Sequence, residues 1–445
     1  MTSDLKFRLS LFGIFVFSLA LRFWNLSQFN VLVFDEVYYA KYANEYLIGK
    51  EFFQSHPPLS QYLIAFGIWV GSHFPAPPDT INTLTGSARS TFSYRWLNAF
   101  IGSFIPLVVG AIAYQITSKR AIGIIAASLI ALDGLFLVES RYALNNIYLI
   151  LFGLLGHLFF LISLKKNQKL LYLIISGIFF GLCASIKWNG LGFLLGIFIL
   201  IGIAKIGRRF FARYFSDELW KQLANVKIIY IAIALLICPA IVYSILWIPH
   251  LQLNPRYNFI QVHQEIWSFH QRIQGNTPDV HPYCSPWYSW PFLWRTVAYY
   301  YAREGNRIYD VHAMGNPILW ILSTAAIAFF WIRLLFAKVW RARDNFRLPI
   351  VIYLLVNYVA NLLPWMKIGR CTFLYHYMTS YVFAVVALAW LIGEAWRGSS
   401  FVDRLSARVA IVLIVLAFFY WLPVYLGIPL SDGEYYRRMI FRGWI

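Results

Sequence analysis

Eleven apolar stretches, each close to the length of a bilayer crossing, leave this chain few folds to choose from. A hydrocarbon core about 30 Å thick needs about 20 apolar residues in a helix. Such stretches fall at 9–26, 96–116, 121–138, 142–164, 170–186, 188–206, 226–248, 317–337, 348–366, 372–396 and 408–428. The 445 residues are 60% hydrophobic and 13% charged, whereas soluble domains average about 45–50% and about 25%. A soluble globule, a disordered chain and a disulfide-stapled secreted module are excluded. The pattern predicts an all-α polytopic membrane protein that fills residues 1–445 as one integral domain.

A twelfth stretch, 59–74, follows Pro57 and Pro58 and stops at Pro75. It is short enough for an interfacial helix, and charge supports that reading. If 59–74 does not cross, the basic loops 119–120, 165–169, 205–227, 333–347 and 397–408 share a side with Lys6 and Arg8, and most of the acids lie opposite. By the positive-inside rule this puts the N-terminus in the cytoplasm and the C-terminus outside. The net charge of +19 then reflects topology and contact with membrane lipids, and no nucleic-acid partner is expected. Ser18-Leu19-Ala20 looks like a signal-peptidase site, but apolar sequence continues through Phe23 and Trp24, which predicts a retained helix. Two external segments exceed simple turns, 27–95 and 249–316, and 317–428 forms a C-terminal four-helix part.

The first external loop opens with Asp35 and Glu36, directly after an apolar run. A partly desolvated carboxylate at the membrane boundary can serve as a general base for a hydroxyl. Acids at a helix N-terminus also favour the dipole, so the pair alone does not decide. Neighbouring helical residues project about 100° apart, so at most one can face a substrate. His56 precedes Pro57-Pro58 and is either a site residue or structural. Arg95, Arg141, Lys187, Lys367 and Arg370 gather at the expected outer ends of helices, with Glu139 and His376 beside them and Asp133 deeper. Any one could be a snorkelling anchor. Five cations facing acids suit a lipid-linked phosphate whose tail lies in the bilayer.

The large external loop carries His263, Glu265 and His270 without the H-E-x-x-H spacing of a zinc protease. The four cysteines include no C-x-x-C, so neither a metal nor a redox motif is expected; Cys284 and Cys371 share the outer side and could pair, though nothing in the spacing demands it. No P-loop and no D-x-D motif occurs, which argues against a nucleotide-activated donor.

The segments FDEVYYAKYANEYLIGKEFFQSHPPL, YRWLNAFIGSFIPLVVGAIAY, LDGLFLVESRYALNN, SIKWNGLG, HPYCSPWYSWPFLWRTVAYYY, AMGNPILW and RCTFLYHYM run in order from about residue 22 to 395. Together they resemble the protein O-mannosyltransferases, enzymes of the GT-C fold. The resemblance implies inverting transfer of mannose from polyprenyl-phosphate mannose to Ser or Thr of secreted or membrane proteins at the extracytoplasmic face, as the translocon presents them. It casts Asp35 as the catalytic acid residue with Glu36 as its neighbour, and Arg95 and Arg141 as family arginines; His56, Lys187, Arg370 and His376 fall in further family motifs. No cofactor is firmly implied, no metal ligands are assigned, and a need for divalent cations stays open. Asn146 stands where the family often has Asp, and the long loop lacks the MIR insertion of eukaryotic members, which implies a prokaryotic enzyme of the plasma membrane. Two alternatives remain: a GT-C transferase moving another lipid-linked sugar to a lipid or glycan, and a transporter or flippase. The latter would need paired broken helices in repeated halves, and none stands out.

Overall fold

The computed structural model describes residues 3–336 and 347–445, apart from 167, 214, 274 and 278. The basic stretch 333–347, used above for topology, therefore falls largely outside the described residues.

Ten of the eleven apolar stretches form helices where hydropathy places them, such as Asn146–Lys165, Pro317–Leu335 and Phe401–Leu426. The stretch 121–138 does not stay whole. It breaks into Arg120–Ala131 and Gly134–Arg141, bent by 59°. The cause is Asp133, whose Oδ1 accepts from Phe136 N at 3.1 Å and caps the second piece, while its Oδ2 accepts from Tyr381 Oη at 3.0 Å. A buried carboxylate that needs donors starts a new helix more readily than it continues one.

By length and hydropathy eight continuous helices among the described residues can cross a membrane, or up to nine with the bent pair. The expected eleven is not reached on that measure. Ser3–Phe23 is long enough but carries Asp4, Lys6, Arg8 and Arg22, and Lys169–Ala184 has only 16 residues. Helix Met378–Trp396 lies at the centre, buried on nearly every side. Ile228–Leu253 lies at the edge and exposes Ile233, Ile237, Ile241 and Ile245, the apolar surface that a lipid environment would cover.

The segments between helices build the working end. After the first helix the chain forms Glu36–Ile48, stopped by Gly49 at φ 67°, a left-handed residue at the usual helix terminus. The 59–74 stretch becomes the 13-residue helix Leu59–Gly71, packed between Glu36–Ile48 and Thr91–Gly102. The large loop supplies helix Phe259–Arg272, started by an Asn258/Gln261 capping box. It also adds an antiparallel hairpin, Val297–Glu304 with Arg307–Ala313. A smaller hairpin joins Ile81–Leu84 to Ser87–Ser90. Both hairpins are additions to the all-α expectation.

Cys284 and Cys371 form a disulfide, with Cα atoms 5.2 Å apart. Ser285 N donates to Thr372 O at 2.8 Å beside it. The large loop is thereby fastened to the segment that carries Arg370.

Candidate active site

Asp35 owes its direction to the residues on either side. Phe34 has φ 51°, a left-handed conformation that a bulky side chain adopts only when its surroundings impose it, at about 1–3 kcal/mol. Its ring is held from three sides: stacked on Tyr299 at 4.3 Å and edge-on to Phe373 and Tyr375, each at 6.1 Å. Phe34→Ala should therefore release Asp35 from its aim. We expect turnover to fall by about tenfold or more while binding of the donor changes little, since misplacing a catalytic group by about 1 Å can cost about 10²-fold. Steady-state kinetics with donor and acceptor varied separately check this; an unchanged turnover number would dismiss the role.

Glu36 points the other way, into the protein, and is fully used there. It accepts from Val33 N and Ala143 N at 2.8 Å each, and from Arg95 Nε at 2.9 Å and Arg95 Nη2 at 2.8 Å. Arg95 in turn gives its remaining donors to Leu26 O, Phe29 O and Val31 O at 2.8–3.2 Å. A guanidinium has five N–H groups, and all five are taken. Both side chains are wholly inaccessible to solvent. Arg95 and Glu36 thus form a buried ion pair that pins the chain on either side of Asp35. Arg141 is buried as well. Its Nη1 donates to Leu21 O, Arg22 O and Trp24 O at 2.7–3.1 Å, capping the C-terminal carbonyls of the first helix, which carry the negative end of its dipole.

The remaining cations face two adjoining cavities. The larger, about 870 Å³, is lined by Lys187, Lys367 and Arg370 together with apolar Trp188, Leu191, Leu195, Trp267 and Ile368. The smaller, about 290 Å³, holds Asp35 with Tyr38, Tyr42, Gln54 and Phe269. His56, Lys187, His270, Arg370 and His376 line both. A carboxylate and two cations thus meet where an amphipathic chamber joins a small polar one. His376 Nδ1 lies 3.0 Å from Phe373 O, which fixes its ring at that junction. Glu139 does not reach either cavity. It accepts from Tyr299 Oη and, at 3.1 Å, from Asn146 Nδ2.

Burial pushes the Asp35 carboxyl up to about 6, with Lys187 pulling it partly back. Burial lowers Lys187 to about 8 against the attraction of Asp35 and Glu139. Burial, reinforced by the neighbouring cations, drops His56 well below its ordinary range, and burial first, then Arg370, takes His270 to about 4. Near neutral pH the site then holds an ionised acid of unusually high basicity, a charged lysine and two neutral imidazoles.

His270 and Tyr299 are absent from the sequence-level candidates. His270 Nε2 donates to Ser55 O at 2.9 Å, beside His56 with ring centres 5.4 Å apart. In the sequence His270 stands out only beside His263 and Glu265, as a failed metal motif. Among the described residues, no group of three or more His, Cys, Asp or Glu could hold a metal ion.

Comparison with known proteins adds the lineage. The family description "Dolichyl-phosphate-mannose-protein mannosyltransferase" matches residues 13–253, and "C-terminal four TMM region of protein-O-mannosyltransferase" matches 255–444. The chain is similar to a polyprenol-phosphate-mannose–protein mannosyltransferase of Corynebacterium glutamicum, 25% identical over 96% of this chain and 92% of the relative. The protein of the same description from Mycolicibacterium smegmatis is 22% identical, over 95% and 90%. Among solved structures, the S. cerevisiae protein O-mannosyltransferase Pmt1-Pmt2 complex bound to the sugar donor superposes with a TM-score of 0.83 at 15% identity, covering all of this chain and 93% of the matched one.

Proposed function

We propose a mechanism on one premise: the chain belongs to the protein O-mannosyltransferase family. It is a multi-pass membrane enzyme of the GT-C fold that transfers mannose from a polyprenyl-phosphate donor to proteins. Our reading of the site is that the larger cavity takes the donor, with the isoprenoid against Trp188, Leu191, Leu195, Trp267 and Ile368 and the phosphate on Lys187 and Arg370. Lys367, exposed at the rim, assists from outside. The acceptor Ser or Thr enters the smaller cavity past Tyr38 and Tyr42.

A serine hydroxyl is too weak an acid to ionise unaided near neutral pH, so a base within hydrogen-bond reach is needed. Asp35 takes the hydroxyl proton as the oxygen attacks the anomeric carbon from the face opposite the phosphate. The new carbon–oxygen bond forms while the bond to phosphate oxygen breaks, and the electron pair leaves with the polyprenyl phosphate. The anomeric configuration inverts. Negative charge grows on the departing phosphate, where Lys187 and Arg370 stabilise it most. His56, His270 and His376 offer hydrogen bonds to the sugar.

The observation that carries this reading is that Asp35 shares one continuous space with Lys187 and Arg370, while Glu36 and Arg95 are consumed in structure. The disulfide supports placing this end on the oxidising, extracytoplasmic side of the plasma membrane, the side on which chains emerge from the translocon. Purified enzyme given labelled polyprenyl-phosphate mannose and a Ser/Thr-containing peptide should label the peptide. Lys187→Met and Arg370→Met should each raise the donor KM by about 10–100-fold, the size of one lost charge-assisted hydrogen bond. No labelled peptide, or a wild-type donor KM in both variants, rules the reading out.

A further inference from the structure

Gln54 is buried, 1% exposed, on the wall of the smaller cavity, and a relay that starts at a main-chain amide decides which end of it is free. Phe52 N, which can only donate, reaches Asn254 Oδ1 at 2.7 Å. Asn254 thus turns its Nδ2 toward His250, 2.8 Å from the carbonyl oxygen and 3.2 Å from ring Nδ1. A ring nitrogen that faces an amide NH2 group accepts. Tyr46 Oη, 2.6 Å from the same nitrogen, therefore donates its proton to it. That leaves the Tyr46 oxygen to accept from Gln54 Nε2 at 3.0 Å. Gln54 Oε1 is the end left over, buried and with no hydrogen-bond partner among the described residues.

We propose that Gln54 Oε1 accepts a main-chain N–H of the acceptor segment, next to the reacting Ser or Thr, and so makes the site specific for a polypeptide. The proposal rests on the reading of the smaller cavity as the acceptor's. A buried carbonyl oxygen without a partner is costly to leave, and a donor that arrives with the ligand removes that cost. The donor is not the reacting hydroxyl, whose proton goes to Asp35. Nor is it the mannose, whose phosphate sits on Lys187 and Arg370 where the cavities join, because Gln54 borders the smaller cavity and not the larger. A second unclaimed acceptor, His270 Nδ1, stands on both cavities and suits a sugar hydroxyl. Gln61, the other amide of the smaller cavity, already gives its oxygen to Ser60 Oγ at 2.7 Å. A main-chain N–H is present on every residue but proline, whatever its side chain, which lets one oxygen read Ser and Thr alike.

Acceptor peptides with one amide replaced by an ester test this directly, because an ester keeps the shape of the chain and loses the N–H. Two are needed, one lacking the N–H of the acceptor residue and one lacking that of the residue after it. With wild-type enzyme, one of the two should show an acceptor KM about three- to tenfold above that of the parent peptide, the size of one neutral hydrogen bond. Gln54→Met should raise the KM of the parent by the same factor and no longer distinguish it from that ester, with the donor KM within about twofold of wild type. A merely structural role would weaken the use of amide and ester alike and keep their ratio. A ratio that persists in Gln54→Met, or a wild type that uses both esters as well as the amide, overturns the proposal while leaving the cavity assignment standing. A donor KM that rises in Gln54→Met while the acceptor KM does not would put Gln54 on the sugar, and the cavity assignment itself has then failed. Should Gln54→Met not accumulate as folded protein, the wild-type comparison of amide and esters decides alone.

Discussion

Asp35→Asn should leave a folded enzyme that binds donor normally and turns over about 10²–10⁴-fold more slowly, the span usual for loss of a general base. The substitution keeps size and shape, and Asp35 sits at the N-terminal end of helix Glu36–Ile48 without a side-chain cap bond to lose. Folding should thus be untouched. The pH dependence gives a second readout. With the carboxyl raised to about 6 by burial, the base is protonated and idle below that value and ionised above it, so wild-type activity should climb as pH passes about 6. Lys187, lowered to about 8, loses its charge as pH passes that point, so activity should fall again on the alkaline side. The profile should therefore be bell-shaped with a narrow top. In Asp35→Asn the acid limb should vanish from the residual rate while the alkaline one persists. A mutant with near-normal transfer, or one whose acid limb remains in place, would remove Asp35 from the role of base.

The sequence exposed some of this and concealed the rest for identifiable reasons. Hydropathy located the helices because a bilayer imposes one length on every crossing, and the runs track the observed segments closely. It missed the break at Asp133, because counting apolar residues ignores what one buried carboxylate demands of its neighbours. Asp35 was legible as half of a pair. Which half faces a substrate followed from helical geometry only as an exclusion, and it took the contacts of Glu36 to settle which residue turns inward. Arg95, Arg141 and Lys187 look alike in sequence, since each is a cation at the end of an apolar run. What separates them is the position of backbone carbonyls 64–120 residues away, which no local pattern carries. The same holds for His270, whose partner is Ser55 across 215 residues, and for the disulfide, whose separation of 87 residues left it open. The left-handed turn at Phe34 leaves no trace in composition either, because it is imposed by Tyr299, Phe373 and Tyr375 from other segments.

Arg95→Ala should be the most damaging substitution for the fold, and its damage should not look catalytic. The change leaves Glu36 charged in a place without water and strips Leu26, Phe29 and Val31 carbonyls of their donor. Breaking a buried pair by removing one partner typically costs about 3–5 kcal/mol, before the orphaned carbonyls are counted. Arg95→Lys should recover little, since one ammonium cannot reproduce a planar fork that serves two carboxylate oxygens and three carbonyls at once. Glu36→Gln should be milder, because an amide retains the shape and one accepting oxygen. The expected order of thermal inactivation half-life in detergent is wild type, Glu36→Gln, Arg95→Lys, Arg95→Ala. Whatever folded Arg95→Lys can be isolated should keep a donor KM within about twofold of wild type, because on this geometry no N–H of Arg95 is left for a phosphate. A stable Arg95 variant with a donor KM raised about tenfold would reverse the assignment. It would mean that the guanidinium exchanges its carbonyl partners for the ligand when the donor arrives.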